Sequence, residues 1–427
     1  MATVSSSLRQ VKAHLQQLVS DSDIYQICDR LNHRWRDRKL NPALSVQLLL
    51  LQLLARVALR GLHRVAKITV SPQAIGKARQ LLPLKLMYEL VTRHAGQGLP
   101  ITLWKGLKLF MADGMSFMTP DTPQLAKCFG KPKNQKGTSF GYPAPKLLAL
   151  MDGSGLIHKV IALPWARQEF TCLSRLFKYV GAGGLLLGDR GLVSFVHLAM
   201  LVRNQIHGCF RLPRWQVVYK KGKGCRRLIK RLGPQDLLVR WTAYRCPKWM
   251  SKLRWAMFKD QPLVLRQIAF RVTRKGFRTN WAWIITTLID PELYTAKELI
   301  ELYSQRWQIE VCFRDLKQTL GLGHISARTV SGARKQVLAF VLLYNLIRGI
   351  MQQAAVRQGV DPHRISFIDA MRWLLWSEAG DPLADLLINP RRVRCVPPRA
   401  LKNARHRFAQ IKGASAELSK PPCTVML

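Results

Sequence analysis

Acidic residues are scarce in this chain of 427 residues. It carries 24 Asp and Glu against 68 Lys and Arg, which gives a formal net charge of +44. Such an excess repels itself in a compact fold unless a polyanion neutralises it. The charge favours DNA or RNA phosphate as a partner, bound largely through counterion release, with an anionic membrane surface as the rival. Hydrophobic residues make up 48% of the chain, which excludes a disordered protein and allows two or three domains.

Long uninterrupted apolar runs are also missing. The most apolar stretch, Leu44 to Leu59, is interrupted by Gln47, Gln52 and Arg56 before the ~20 residues of a membrane span accumulate. An Asn-Pro pair just ahead of it is typical of a helix start, so we predict a buried core helix and no membrane partner. The first 17 residues lack the apolar segment of a secretory signal.

The cysteines show no pairing pattern. Nine of them are scattered between Cys28 and Cys423, and none forms a C-x2-C pair. This distribution argues against a disulfide framework and against a zinc site. It is typical of reduced thiols, so we predict a cytosolic protein.

The spacing of apolar residues changes along the chain. Residues 1–95 show helical spacing, and the basic segment Asp29–Leu40 is expected to contact phosphate. From Leu107 onward, short apolar runs alternate with helical segments, including one predicted over residues 166–180, which indicates an α/β domain with a mixed sheet. Residues 213–279 alternate basic and apolar positions, as in an antiparallel β insertion with one cationic face.

Two aspartates follow apolar runs in the α/β domain. The runs Leu107–Asp113 and Gly183–Asp189 are predicted to be buried strands that each end at an aspartate. Ligands bind beyond the strand ends of an open sheet, so both are candidate metal ligands, with a turn-forming role as the alternative. Asp152, in a Gly-rich hairpin turn between two further β-runs, is expected to serve the turn only.

One long helix is predicted over residues 294–322. Thr295 and Glu298 have the spacing of a capping box at its start. At ~100° per residue, five polar side chains share one arc of this helix, beside an apolar stripe. These side chains are Tyr303, Arg306, Glu310, Arg314 and Lys317.

The single carboxylate on that arc, Glu310, has two interpretations. A surface ion pair with Arg306 explains it at ~0.3–0.5 kcal/mol. Alternatively, Glu310 joins Asp113 and Asp189 in a two-Mg²⁺ site, because hard oxygen donors suit Mg²⁺ and two ions ~3.5–4 Å apart support phosphoryl transfer. The neighbouring Arg and Lys side chains then grip phosphates.

The spacing Tyr303-x2-Arg306-x3-Glu310-x6-Lys317 resembles the Y-R-E-K signature of bacterial insertion-sequence transposases of the DDE class, in the insertion sequence four family. The stretches DGMSFMTPDTP, GDRG and LYSQRWQIE are also similar to that family, in the same chain order. The resemblance runs from about residue 107 to about residue 322. It implies an α/β fold with an RNase H-like mixed-sheet catalytic core, a β-rich insertion, an N-terminal helical domain and a helical C-terminal region.

The resemblance also implies a catalytic triad and a domain organisation. On the matching positions the triad is Asp113, Asp189 and Glu310, which would hold two Mg²⁺ ions, with Mn²⁺ as a substitute. The expected segments are an N-terminal DNA-end-binding domain (1–95), the first part of the catalytic core (96–212), the basic β-rich insertion (213–279), the second part of the core with the glutamate helix (280–350), and a helical C-terminal region with a basic tail (351–427).

The implied reaction is cut-and-paste transposition on double-stranded DNA: cleavage at terminal inverted repeats, hairpin formation by the freed 3′-hydroxyl, and joining to target DNA. A homodimer in the synaptic complex and a cytoplasmic, nucleoid-associated location accompany it. A flipped base is expected to stack on Trp281 or Trp283, unless both belong to the strand core. The implied phosphate-binding side chains are Tyr303, Arg306, Arg314, Lys317 and Arg190.

Two other functions stay open at this point. A catalytically inactive regulator that occupies transposon ends would share the signature but would not cleave DNA. A structure-specific nuclease on the same RNase H-like fold would share the metal site but not the cations of the signature.

Overall fold

A computed structural model describes residues 20–36, 39–96, 101, 103–219, 222–272, 280–377 and 381–389. The basic tail from residue 390, residues 273–279 of the insertion and the N-terminal 19 residues lie outside these ranges. Contacts divide the chain into a large unit, Met1–Phe270 with Ala282–Asn389, and a small unit, Arg271–Trp281 with Pro390–Leu427. Within the small unit, the Arg271 guanidinium lies 5.0 Å from the centroid of the Trp281 ring.

The described part of the N-terminal region contains five helices. They are α1 (Asp21–Arg30), α2 (Pro42–Ala55), α3 (Leu59–Val65), α4 (Pro72–Leu81) and α5 (Leu84–Gly96). The side chains of Ser20, Asn41 and Ser71 cap α1, α2 and α4, each accepting a hydrogen bond from the backbone N–H three residues on. Nearly all of α2 is buried, which confirms the predicted core helix.

The described residues contain one mixed sheet of eleven strands. The strands are β1 (Leu103–Trp104), β2 (Leu107–Ser116), β3 (Lys146–Asp152), β4 (Ile157–Leu163), β5 (Gly184–Gly188), β6 (His207–Arg211), β7 (Gly222–Lys223), β8 (Arg226–Gly233), β9 (Asp236–Trp241), β10 (Leu263–Val272) and β11 (Asn280–Thr286). Their order is β4-β3-β2-β5-β6-β11-β10-β9-β8-β7, with β1 paired to β2.

The first half of this sheet has the topology that the family resemblance implies. Strands β2, β3 and β4 are antiparallel neighbours, whereas β5 runs parallel to β2 and β6 runs parallel to β5. Three antiparallel strands followed by two parallel ones, with the first strand in the centre, define an RNase H-like core. Strands β7 to β10 are mutually antiparallel, as predicted for the insertion, and they extend the same sheet through β11.

Helices cover both faces of the sheet. Leu109 and Met111 of β2 pack into one core with the N-terminal helices, and Phe110 and Ala112 pack into the other. This two-sided burial accounts for the continuous apolar run of β2. The remaining helices are α6 (Pro123–Phe129), α7 (Phe177–Val180), α8 (Phe195–Arg203), α9 (Lys252–Ala256), α10 (Ala296–Ser304), α11 (Trp307–Arg314), α12 (Val330–Gln358) and α13 (Phe367–Trp376).

Helix α12 is a core helix that holds the β3–β4 hairpin. Its length and composition alone suit a membrane span, but 89% of its most apolar window is buried inside the protein. The Asn345 side chain bonds the backbone N–H and C=O of Ile157 at 2.9 Å each, and Arg348 donates to the Ser154 carbonyl at 2.7 Å. Asp152 serves the turn, as expected, but it is fully buried and its Oδ2 lies 2.7 Å from Nε2 of His158.

The prediction of one long helix over residues 294–322 is wrong. The capping box of Thr295 and Glu298 is present, but α10 ends at Ser304 and α11 starts at Trp307. The backbone N–H groups of Gln305 and Arg306 donate to carbonyls only three residues back, which tightens the turn. A π-helical turn, Asp315–Thr319, follows α11 and widens it again. The assumption of a constant ~100° per residue therefore fails here.

Two further boundaries differ from the predictions. Residues 166–180 do not form one helix, because a 3₁₀ segment, Glu169–Arg175, precedes the short α7. Strand β2 continues past Asp113 to Ser116, so this aspartate lies inside the strand and not at its end. The antiparallel partner β3 stays paired as far as Ser116, which keeps the strand extended.

Candidate active site

Asp113 lies on β2, on the same face of the sheet as Leu109 and Met111, which pack with the N-terminal helices. The Gly114 N–H donates to Asp113 Oδ1 at 2.8 Å, which orients the carboxylate. A Cβ at Gly114 would lie 2.8 Å from Cγ of Glu169, so a larger residue at this position would require the Glu169 side chain to move. The backbone on both sides is paired to β3, with Asp113 opposite Ala149. The carboxylate is therefore mounted on a rigid central strand.

Asp189 directly follows β5, the parallel neighbour of β2. The last registered pair of these strands is Ala112 with Gly188, so the next step along both strands brings Asp113 and Asp189 side by side. Neighbouring strands lie about 4.8 Å apart. The Tyr303 hydroxyl donates to the Gly188 carbonyl at 3.5 Å and supports this end of β5.

Glu310 lies on α11, which packs against β2, the strand that carries Asp113. Arg306 connects the carboxylates: its guanidinium lies 3.2 Å from Asp113 Oδ2 and 2.5 Å from Glu310 Oε1. Its side chain is 11% exposed, so water screens these contacts only in part. The predicted ion pair between Arg306 and Glu310 is present, and the same guanidinium also pairs with Asp113.

Burial and charge shift the pKa values at this site. Burial raises the pKa of Asp113 to about 6, with the charges of Asp189 and Glu310 adding to the effect and the Gly114 N–H and Arg306 opposing it. Burial by itself lowers the pKa of Arg306, but Tyr303, Glu310 and Asp189 outweigh it and raise that pKa. The guanidinium is thus the counter-charge of the carboxylate group.

The raised pKa of Asp113 predicts a pH-dependent stability. The contribution of Asp113 to the unfolding free energy is fully present below about pH 4, near the ordinary pKa of an aspartate. It is lost as the pH rises through the raised pKa of about 6. Relative to Asp113→Asn, the unaltered protein is expected to lose about 2–3 kcal/mol of unfolding free energy between pH 4 and pH 8. Urea unfolding of both proteins in EDTA measures this difference, and a constant difference across the range would contradict the expectation.

The donor chemistry of the site fits a divalent metal ion. Three carboxylates supply hard oxygen donors, and Oδ1 of Asp189 is buried without a hydrogen-bond partner among the described residues. The three are not gathered around one point, because no group of three or more His, Cys, Asp or Glu side chains in the described part of the chain is placed to hold a metal ion. The Arg306 guanidinium lies between two of them.

The other predicted side chains differ in how far they are exposed to solvent. Arg190 and Arg314 are exposed, and Lys317 is half-buried with a pKa that burial lowers. Tyr303 is 8% exposed and bonded to the β5 end, so its hydroxyl is not open to a phosphate in this structure. Trp281 is 40% exposed, whereas Trp283 is half-buried with the Tyr219 ring against its edge.

A pocket beside Asp189 contains residues that the sequence analysis did not predict. It has a volume of about 640 Å³, and besides the predicted Arg190 it is lined by Phe170, Arg214 and Trp215, among others. Trp215 is 74% exposed, and the Arg226 guanidinium lies 5.3 Å from its ring centroid. The position of Trp215 just after β6 could have indicated that it lies near the site, since β5 and β6 are parallel and end at the same edge of the sheet.

The class of protein follows from this arrangement together with its relatives. Residues 104–346, which include all three carboxylates, match the family model described as a transposase DDE domain. That span is more than half of the chain, so the chain belongs to this family. It is a DDE insertion-sequence transposase, an enzyme of the metal-dependent class that cleaves DNA and transfers its strands.

Two relatives and one solved structure illustrate the similarity. The chain is 27% identical over 324 residues to transposase InsG for insertion sequence element IS4 of Escherichia coli (strain K12), covering 73% of this chain and 70% of InsG. It is 30% identical over 117 residues to the putative transposase InsZ of the same organism, covering 26% and 38% of the two chains. A piggyBac transposase in a synaptic complex with hairpin DNA has a TM-score of 0.45 and 10% identity, over 85% of this chain and 78% of that one.

Proposed function

We propose that this chain moves an insertion sequence by cut-and-paste transposition. It cleaves the DNA at the terminal inverted repeats, forms a hairpin through the freed 3′-hydroxyl, and joins the reopened ends to target DNA. The observation that carries the proposal is the register of β2 and β5, which sets Asp113 beside Asp189, with Glu310 linked to Asp113 through Arg306.

Asp113, Asp189 and Glu310 are the side chains that would hold two Mg²⁺ ions, or Mn²⁺ in their place. Such ions activate the attacking oxygen and stabilise the leaving oxygen of a phosphodiester. Arg306 would exchange its carboxylate partners for a DNA phosphate, since guanidinium groups pair with either. The further phosphate contacts would come from Arg190, Arg314 and Lys317, while Tyr303 positions the β5 end.

The N-terminal helices would bind the transposon ends. A groove of about 830 Å³ lies between the basic segment and α4, and none of the described residues that line it is acidic. Trp35 contributes an aromatic surface to this groove, stacked on Tyr25 at 5.5 Å between ring centroids. The cations that line it are Arg34, Arg36, Lys39 and Lys77. This composition suits a phosphate backbone with sugar or base contacts.

A flipped base would stack on a tryptophan during hairpin formation. The exposure of Trp281 leaves its ring open to a base, and a nearby guanidinium adds a cation to the stack. Trp283, half-buried against Tyr219, is the second candidate. We further propose a homodimer in the synaptic complex, because two ends must be held together. The net charge of +44 supports a cytoplasmic protein associated with the nucleoid.

A plasmid assay tests this function. A supercoiled plasmid carrying the DNA that flanks the coding sequence on both sides is incubated with the protein in Mg²⁺, in Mn²⁺ or in EDTA. We expect nicking and excision with either metal and none in EDTA. Binding without nicking would indicate an inactive end-binding regulator. Cleavage of branched DNA regardless of the end sequence, without strand transfer, would indicate a structure-specific nuclease.

A further inference from the structure

A second cationic pocket lies at the free edge of the sheet, on β4. Strand β4 ends the sheet path, and its residues Lys159–Ala162 form one side of a pocket of about 540 Å³. Tyr88 of α5 lies on another side, and Ser174, Tyr179 and their neighbours close the pocket from the segment around α7. No residue of the catalytic site lines this edge pocket.

Four cations from different parts of the chain converge on the edge pocket. Lys159 comes from β4, Arg175 from the 3₁₀ segment, Lys178 from α7 and Arg334 from the core helix α12. None of the described residues that line the pocket is acidic. In the part of the chain that the structure describes, none of the four forms an ion pair with a carboxylate, although the chain pairs other cations in this way.

Aromatic rings hold two of these charges without neutralising them. The Lys159 ammonium lies 4.2 Å from the ring centroid of Tyr88 and 5.1 Å from that of Tyr179. The Lys178 ammonium also lies 5.1 Å from the centroid of the Tyr179 ring. A cation over a ring keeps its full charge and its N–H donors. The ammonium groups are therefore placed for an anion from outside the chain.

Protection of a sheet edge explains only part of this arrangement. A lysine on an edge strand discourages pairing with a second chain, and Lys159 alone fits that purpose. Arg175, Lys178 and Arg334 are on other elements and have no such role. Four cations that have no carboxylate partner among the described residues repel one another, so their convergence in one pocket points to an anionic ligand with several charges.

We propose that the edge pocket binds backbone phosphates of duplex DNA as a contact separate from the catalytic carboxylates. The proposal rests on the proposed function, which supplies the duplex. Val160 pairs with Ala149, which pairs with Asp113, so this pocket residue lies level with Asp113 along the strands, two strands away. Two strand spacings are roughly 10 Å. Duplex DNA carries one charge per about 1.7 Å of axis, so a duplex at this edge presents several phosphates to the four cations.

Salt-dependent binding tests the edge pocket. The double variant Arg175→Gln/Lys178→Gln removes two exposed cations whose loss leaves the core intact. Its matched control, Lys136→Gln/Lys297→Gln, removes two exposed cations that do not line the pocket. Fluorescence anisotropy of a short labelled duplex of unrelated sequence is measured in EDTA, between about 50 and 200 mM salt.

The pocket variant is expected to bind at least about tenfold more weakly and to lower the slope of log Kd against log salt by about 1–2. The control is expected to keep its slope within error. Equal losses in the two variants would mean that only total charge matters, which would overturn the assignment. Lys159→Gln, as a second variant, should lower the slope by a further unit or less.

A titration with small anions separates the two sources of phosphate. Inorganic phosphate and pyrophosphate are added to the full chain in a calorimeter. If the pocket variant loses tight pyrophosphate binding while duplex binding is unchanged, the ligand is a free polyphosphate and the DNA assignment fails. The cleavage assay is independent of this result. If the triad variants do not cleave DNA and the pocket variant keeps the salt slope of the unaltered protein, only the proposed function is supported. If the pocket variant has a reduced salt slope but the triad variants still cleave DNA, only the DNA contact is supported.

Discussion

Asp113→Asn, Asp189→Asn and Glu310→Gln are each expected to lower metal-dependent DNA cleavage at least about 10³-fold. Metal ions contribute several kcal/mol to phosphoryl transfer, and each 1.36 kcal/mol is a factor of ten in rate. Each substitution removes one negative charge and one oxygen donor while keeping the shape of the side chain. Time courses of plasmid nicking at saturating protein, in Mg²⁺, measure the effect.

Duplex affinity separates loss of chemistry from loss of binding in these variants. It should stay within about threefold of the unaltered protein, because removing a negative charge does not weaken attraction to phosphate. Asp121→Asn is the matched control. Asp121 pairs with Lys131 at 2.6 Å on the surface, and this variant should cleave DNA normally. If any one of the three variants retains cleavage, that residue is not a member of the triad.

Arg306→Ala is expected to destabilise the protein and to increase its response to Mg²⁺. The substitution leaves Asp113 and Glu310 without their shared counter-charge, and partly buried groups that lose a partner cost about 1–3 kcal/mol. A divalent ion no longer competes with the guanidinium for these carboxylates, so it binds more tightly. Since a ligand that binds only the folded state stabilises it by mass action, added Mg²⁺ should raise the melting temperature more in the variant.

Arg314→Ala provides the comparison for this measurement. Arg314 is half-exposed and lies 3.8 Å from Asp315, away from the shared contact of Arg306. Its loss removes a cation from beside the largely buried Asp315, so the melting temperature in EDTA should fall. The Mg²⁺ response should stay within about a degree of that of the unaltered protein, because among the described residues Arg314 pairs with neither Asp113 nor Glu310. An equal Mg²⁺ response in the Arg306→Ala and unaltered proteins would show that the guanidinium and the metal do not share ligands.

The strands that carry the aspartates were predictable because their pattern is local. Continuous apolar runs such as that of β5 are typical of strands buried on both faces, and the Gly-rich turn at Asp152 indicated the β3–β4 hairpin. The capping box at Thr295 was likewise readable from two residues three positions apart. In each case, the sequence pattern that indicates the element spans only a few residues.

The helix that carries Glu310 was harder to predict because tertiary contacts set its winding. A tight turn at Gln305 and a wide turn at Asp315 displace the side chains from a regular wheel. Tyr303, expected on the polar arc, is buried and bonded to the Gly188 carbonyl of another element. The strand end inferred at Asp113 failed for the same reason, since pairing with β3 extends β2 to Ser116.

Three properties of this protein follow from the order and kind of its residues. The excess of cations implies a polyanionic partner, the apolar runs imply a mixed sheet, and the spacing of four polar residues identifies the family. Only the tertiary structure decided that Arg306 lies between Asp113 and Glu310, that Asp189 keeps a buried oxygen unpartnered, and that four cations meet at the β4 edge. The physical reason is that these contacts join residues far apart in the chain, and their geometry depends on strand register and helix packing, which no local pattern encodes.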